Sequence, residues 1–267
     1  MNPKIKELSK AIRKVSHSCH SYEVFEDFIQ LAATQISNSV DPVHFESRHI
    51  AALETQKKYS DDENRRMCEA FEMLCGIINE NLLCGEFEDI LGRIFEELRI
   101  KVKGQDFTPD CISRLAAAMI FPEKMILPEC GYITLSEPAC GSGAMILAAA
   151  ARLISSGISC FEQCVVFAAD IEIRAVHMAY LQLALNGIPA VVVHGNTLTC
   201  QEYDRWYTPM YIHGKWVWRK PLGFTCGRNK DDELLKLMTE PMYAAMQYAE
   251  TLITRKSSGG SSNEMSW

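Results

Sequence analysis

The segment Glu137-Pro-Ala-Cys-Gly-Ser-Gly143 has the residue types of a turn that holds a small ligand. It follows an apolar run at 132–135 and precedes a helix-like run at 144–152. A glycine turn between a strand and a helix presents bare backbone and the helix N-terminus to a ligand. Glu137 before the turn favours a positively charged ligand, and Ile146 stands where a dinucleotide fingerprint would have its third glycine. S-adenosylmethionine (SAM), with its ammonium and sulfonium, meets this demand better than NAD.

Polar residues also follow the next two apolar runs of the chain, where Asp170 and Asn196 stand. Carboxyl ends of parallel strands meet at one edge of a sheet, which is where ligands bind in such folds. Asp170 is placed to accept hydrogen bonds from ribose hydroxyls, and Asn196 to pair with an adenine edge. A lone Asp or Asn at a strand end is more often a cap or turn former. Three polar residues in order and register favour a ligand site.

The elements that would position these residues alternate between strands and helices after Lys103. Strands are predicted at 132–135, 164–169, 190–194 and, more weakly, 210–218, and helices at 109–120, 144–155 and 172–186. This alternation predicts an α/β fold, with a parallel Rossmann-like sheet covered by helices. Only 71 residues follow Asn196, so the sheet is expected to be truncated in its C-terminal half.

The first hundred residues show apolar positions at helical spacing throughout, with breaks near Asp41-Pro42, Ser60-Asp61-Asp62 and Cys84-Gly85. They predict a helical N-terminal bundle whose role is packing. The expected domains are a helical domain at 1–103, a SAM-binding domain at 104–225, and a C-terminal helix with a disordered tail at 226–267.

Composition and targeting signals limit the function classes. The chain has 267 residues, of which 48% are hydrophobic and 23% charged, as in soluble globular proteins. We expect no membrane segment and no secretory signal. Eleven cysteines without an export signal indicate reduced thiols and a cytoplasmic location. No metal site is predicted.

A basic and aromatic segment stands out against the net charge of −7. Residues 205–230 contain six basic residues and no acidic one. Interleaved cations and aromatic rings suit a phosphate backbone and unstacked bases, so DNA contacts are predicted at Lys215, Trp216, Trp218, Arg219 and Lys220. The alternative is a core strand with a solvated basic edge.

Four segments together resemble the motifs of adenine-N6 DNA methyltransferases, above all the modification subunits of type I restriction systems. They are Gly104-Gln-Asp-Phe-Thr-Pro109, Glu137-Pro-Ala-Cys-Gly-Ser-Gly143, Asp170-Ile171 and Gly195-Asn-Thr-Leu198. Asp89-Ile-Leu-Gly-Arg-Ile-Phe95 also resembles a segment found upstream of the first motif. The resemblance implies SAM as the cofactor, held by Phe107, Thr108, Pro109, Glu137, Pro138, Ala139, Gly141, Gly143, Asp170, Ile171, Asn196 and Leu198.

The catalytic Asn-Pro-Pro-Tyr/Phe motif of that family is absent from the sequence. In the family it holds the flipped adenine and polarises its amine. The nearest match is Thr208-Pro-Met-Tyr211, which predicts a diverged catalytic loop with Thr208, Pro209 and Tyr211 as catalytic residues. The alternative is an ordinary loop in a catalytically impaired SAM-binding or DNA-associated module, which would need a partner or specificity subunit.

Overall fold

The computed structural model describes residues 2–98, 108–219, 233–240 and 243–244. The chain divides into two compact units, Met1–Cys226 and Gly227–Trp267. In the second unit residues 233–240 are helical, and Thr239 Oγ1 donates to the carbonyl oxygen of Leu235 at 2.7 Å. The predicted domain boundary near residue 103 lies outside the described residues and stays a prediction.

Residues 2–98 form five helices, which confirms the predicted helical character of the N-terminal region. Their breaks agree with the predicted ones, and Ser60 and Glu63 form a reciprocal capping box at the start of the fourth helix. The helices are α1 (Pro3–Arg13), α2 (Ser21–Asn38), α3 (Phe45–Gln56), α4 (Asp61–Leu83) and α5 (Ile90–Glu97). The apolar stripes of α1, α2, α4 and α5 share one buried core with Met178 and Leu181, which belong to a helix that covers the sheet.

A mixed α/β layer follows, and it confirms the predicted fold class. Its elements are α6 (Asp110–Ile120), β1 (Ile133–Glu137), α7 (Ala144–Ser155), β2 (Cys164–Asp170), α8 (Ile173–Leu185), β3 (Ala190–Asn196) and β4 (Gln201–Tyr207). The sheet order is β1-β2-β3-β4. The first three strands are parallel, so Glu137, Asp170 and Asn196 all end at the same edge. We call this edge the carboxyl edge.

The fourth strand departs from the expected parallel sheet. β4 turns back on β3 in antiparallel register, with Asn196 opposite Gln201 and Val191 opposite Tyr207. The predicted strand at 210–218 is wrong, because this segment forms two short helices, α9 (Pro209–His213) and α10 (Trp216–Arg219). Pro209 occupies the first helical turn, a position that favours helix initiation.

A buried arginine connects the N-terminal helices to β4. The guanidinium of Arg48 in α3 donates to Asp41 Oδ2 at 2.9 Å, to Asp204 Oδ1 at 2.9 Å and to the carbonyl oxygen of Arg205 at 2.5 Å. It also stacks on the Trp206 ring, 3.9 Å from the centroid. The helical bundle and the sheet are therefore held together by charged as well as apolar contacts. No helix in the described part of the chain is long and apolar enough to cross a membrane.

Candidate functional site at the carboxyl edge

The glycine turn lies between β1 and α7, as predicted. Gly141 and Gly143 have φ of 54° and 96°, a left-handed conformation that costs glycine little. Gly143 is the N-cap residue of α7, so the turn leads directly into the helix N-terminus. The Cys140 N–H donates to the carbonyl oxygen of Ala169 at 2.9 Å, which fixes the turn to the end of β2. The turn is thus preformed beside the strand that carries Asp170.

Asp170 holds the turn through its side chain. Its Oδ2 accepts from the backbone N–H of Gly141 at 2.9 Å, and its Oδ1 accepts from the N–H of Glu172 at 3.0 Å. Each carboxylate oxygen can accept a second hydrogen bond. The carboxylate is therefore fixed in orientation and retains acceptor capacity for a ligand.

The carboxyl edge has an excess of negative charge. Burial, and then the nearby charge of Asp170, raise the pKa of Glu137, although a 3.4 Å bond from the Ala139 N–H opposes the shift. Burial with the charges of Asp170 and Glu137 also raises the pKa of the Cys140 thiol well above its usual value. Cys140 is therefore a neutral packing residue. A cationic ligand would relieve the repulsion between the two carboxyl groups.

Asn196 closes the loop after β3. Its Oδ1 accepts from the N–H groups of Leu198 at 3.0 Å and Thr199 at 3.2 Å, while its amide nitrogen has no partner among the described residues. Thr197 Oγ1 donates to the carbonyl oxygen of Pro138 at 2.6 Å, which joins this loop to the glycine turn. The ends of β1 and β3 are therefore connected across the site.

Two apolar side chains are exposed at the carboxyl edge. Ile171 is 56% exposed and Leu198 is 97% exposed. Ile171 follows Asp170 directly and Leu198 stands two residues after Asn196, so both lie exposed close to the polar strand-end residues. Pro138 and Ala139, in the turn itself, are exposed as well.

The upstream motif is only partly described. Phe107 lies outside the described residues, and Thr108 and Pro109 are exposed. Pro109 is the N-cap residue of α6, which packs on α7, the helix that begins at the glycine turn. The predicted contacts of Phe107, Thr108 and Pro109 with the cofactor stay predictions.

A buried polar cluster behind the turn escaped the sequence analysis, and we call it the Asp89 cluster (Asp89, Gly92, Ser142 and Gln182). Ser142 Oγ donates to Asp89 Oδ2 at 2.6 Å, and Gln182 Nε2 donates to Asp89 Oδ1 and to the Ser142 carbonyl oxygen, both at 2.8 Å. The local signals were the resemblance of Asp89–Phe95 to a family segment and an Asp directly before an apolar helix, which is typical of an N-cap. Neither signal indicates the contact with Ser142 and Gln182.

The proposed catalytic loop lies at the other end of the sheet. Thr208 is fully buried, donates through Oγ1 to the Ile188 carbonyl oxygen, and accepts from the Ala190 N–H, both at 2.8 Å. Ala190 begins β3, a strand about 20 Å long, and the carboxyl edge is at its far end. Pro209 starts α9, and Tyr211 is buried against Tyr207 and Phe167. The structure does not bring these residues to the glycine turn.

Trp216 and Arg219, two of the predicted DNA-contacting residues, also lie away from the carboxyl edge. The Trp216 side chain is 1% exposed, and the Arg219 guanidinium lies 4.3 Å from the centroid of its ring. The same ring makes an edge-to-face contact with Tyr132, just before β1. Lys215 has a left-handed φ of 58°, Trp218 is partly exposed, and Lys220 lies outside the described residues. Since Trp216 is buried, it is not available to stack on a base.

Solved structures similar to this chain include two methyltransferases. One is the methyltransferase subunit of a type I restriction-modification system from Streptococcus thermophilus, at 12% identity and a TM-score of 0.34, with 73% of this chain and 58% of that chain covered. The other is a protein from Listeria monocytogenes assigned as a class I SAM-dependent methyltransferase, at 12% identity and a TM-score of 0.39, with 90% and 80% covered. This chain spans less than two thirds of the Streptococcus thermophilus subunit.

The sequence matches no curated protein. It does match the family model described as N-6 DNA Methylase, over residues 79–257. That match covers more than half of the chain, and it includes α5, the glycine turn, Asp170 and Asn196. The chain therefore belongs to the N-6 DNA methylase family.

Proposed function

We propose that the chain binds SAM at the carboxyl edge and provides the methyl donor for methylation of adenine N6 in DNA, within a restriction-modification type of system in the cytoplasm. The observation that carries the proposal is the pair of carboxyl groups, Glu137 and Asp170, on either side of a preformed glycine turn. Family membership gives the reaction class.

The residues at this edge fit the chemistry of SAM. The Glu137 carboxyl group would face the ammonium, because its negative charge is partly desolvated and unpaired by any cation among the described residues. The free acceptor positions of Asp170 would take the ribose hydroxyls. The amide nitrogen of Asn196 would donate to the adenine edge, and Ile171 with Leu198 would cover the adenine ring.

Bound SAM would supply an electrophilic methyl group, and this chain would hold it in place. Binding energy from the adenosine and methionine parts would orient the reacting methyl group, and such orientation lowers the barrier to group transfer. The turn backbone and the helix N-terminus would hold the methionine carboxylate. Target adenine must leave the duplex to reach the methyl group.

A second candidate function follows from the position of Thr208 and Tyr211. Because both lie at the opposite end of the sheet, neither can contact the amine of an adenine placed beside the turn. This favours a SAM-binding module that needs a partner or specificity subunit for DNA recognition and for transfer.

Two measurements test these proposals. Calorimetric titration with SAM and, separately, NAD should give saturable binding of SAM alone; binding of NAD and not SAM would overturn the SAM proposal. Transfer of a labelled methyl group from SAM to mixed-sequence DNA should then be measured with and without candidate partner subunits. Labelled DNA in the reaction with the chain alone would support a complete methyltransferase. Labelled DNA only when a partner subunit is added would support a SAM-binding module that depends on its partner.

A further inference from the structure

We propose that Asp89 is a positioning residue for the SAM site, which fixes the glycine turn to the N-terminal helices through Ser142. The inference rests on the proposed function for the identity of the ligand, but the coupling it describes is a property of the free protein. Asp89 lies 53 residues before Ser142 and is the N-cap residue of α5.

The hydrogen bonds of the Asp89 cluster are shared between the helix start and the turn. At the start of α5, Gln182 Oε1 accepts from the N–H groups of Ile90 at 2.8 Å and Leu91 at 3.1 Å, and Asp89 Oδ1 accepts from Gly92 at 2.9 Å. These are donors that a helix leaves without intrahelical partners. The same two side chains hold both the hydroxyl and the carbonyl of Ser142. The start of α5 therefore cannot shift without disturbing the turn.

Packing at Gly92 shows how closely the two elements approach. A β-carbon at Gly92 would collide with Asp89 Oδ2 and would lie 2.6 Å from Ser142 Oγ. Only a glycine leaves room for the hydrogen bond between Asp89 and Ser142. A methyl group at this position would separate the two side chains without removing either of them.

Ser142 is the residue between the two left-handed glycines of the turn. Both flanking N–H groups are hydrogen-bonded, that of Gly141 to Asp170 and that of Gly143 to the Cys140 carbonyl oxygen at 2.8 Å. Holding Ser142 on both its side chain and its carbonyl restrains this conformation before a ligand arrives. Such preorganisation increases affinity because less conformational entropy is lost on binding.

The sharpest test compares Gly92→Ala with Gly76→Ala. Both glycines are in helices, but a β-carbon at Gly76 meets nothing within 4 Å. Gly76→Ala should leave SAM affinity unchanged, with equal or greater thermal stability, because alanine favours helix. Gly92→Ala should weaken SAM binding about tenfold, the change expected from one lost hydrogen bond to a charged group.

Ser142→Ala and Asp89→Asn keep the test decisive if Gly92→Ala fails to fold. Ser142→Ala removes the hydroxyl and should also weaken SAM binding about tenfold. Asp89→Asn preserves an acceptor oxygen for Gly92 and a polar group for Ser142, so it should restore most of the affinity lost in Asp89→Ala. Equal losses in Asp89→Asn and Asp89→Ala would contradict positioning by this hydrogen-bond pattern.

Amide hydrogen exchange in the protein without ligand separates this proposal from the proposed function. Ser142→Ala should accelerate exchange at Gly141 and Gly143 more than at Val192 in the middle of β3. If wild-type protein does not bind SAM but this local acceleration is found, the proposed ligand is wrong and the coupling stands. If Ser142→Ala accelerates exchange at Gly141 and Gly143 no more than at Val192, Asp89 has no positioning role.

Discussion

The backbone N–H of Gly141 donates a 2.9 Å hydrogen bond to Oδ2 of Asp170, which joins the glycine turn to the end of β2. Asp170 Oδ1 accepts from the Glu172 N–H, so each oxygen of the carboxylate is fixed by one backbone group. The remaining lone pairs are left for a ligand. A single side chain thus shapes the turn and presents acceptors beside it.

Replacing Asp170 with Asn should weaken SAM binding by about 1–3 kcal/mol, the scale of a hydrogen bond to a charged group. An amide has one acceptor oxygen, so either Gly141 or Glu172 loses its partner and the ribose loses a charged acceptor. Isothermal titration calorimetry measures the change. Glu172→Gln is the matched control, since it removes one charge from the same loop and leaves Gly141 untouched. Equal affinity of Asp170→Asn and wild type would remove Asp170 from the site.

The affinity for SAM should fall on acidification because the pKa of Glu137 is raised by burial and by Asp170. Above this raised pKa the carboxylate is charged and attracts the ammonium. Below it Glu137 is neutral and the attraction is lost, so affinity falls at a higher pH than an ordinary glutamate would give. Titrations below pH ~7 keep the ammonium charged.

Glu137→Gln is the variant that checks this explanation. It should bind SAM weakly at all pH values and show a flatter pH profile than wild type. A profile that remains as steep as that of wild type would assign the pH dependence to another group.

The positions of the first three strands and of α7 and α8 were predictable because apolar runs and glycine turns are local signals. The predicted helix at 144–155 agrees with α7, Ala144–Ser155, and the three strand-end residues meet at one edge as expected. β4 was missed because its first residues, Gln201, Glu202 and Tyr203, are polar or exposed, and only pairing with β3 makes the segment a strand. The aromatic residues after it suggested a strand, but Pro209 and the left-handed Lys215 favour short helices.

The Asp89 cluster was unpredictable for a different reason. Ser142 lies 53 residues and Gln182 lies 93 residues after Asp89 in the sequence. Apolar periodicity carries no information about polar partners at such separations. Sequence could identify Asp89 as a helix cap, but only the packing of α5 against α8 brings it to the glycine turn.

Thr208→Val should destabilise the fold without affecting the SAM site. Valine has nearly the same shape as threonine but leaves the Ala190 N–H and the Ile188 carbonyl oxygen without their buried partner. We expect a loss of about 1–3 kcal/mol in the free energy of unfolding, measured with urea. SAM affinity of the folded protein should remain within about twofold of wild type, because Thr208 lies at the opposite end of β3. A loss of methyl transfer at full SAM occupancy would instead support the diverged catalytic loop.

His177 should make the folded protein sensitive to acid. Burial, and then the positive charges of Arg48 and His194, lower the pKa of His177 from 6.5 to about 3. Between these values the unfolded chain binds a proton that the folded chain does not. Stability is therefore complete above about pH 6.5 and decreases as the pH falls towards 3.

Replacing His177 with Phe should remove this source of acid sensitivity. Phenylalanine cannot bind the proton and retains an aromatic ring against Trp206, whose centroid is 4.9 Å from that of His177. Urea unfolding at several pH values between 4 and 7 measures the effect, and the exposed His17→Gln is the control that should reproduce the wild-type profile. An unaltered pH dependence in His177→Phe would show that another buried group controls acid unfolding.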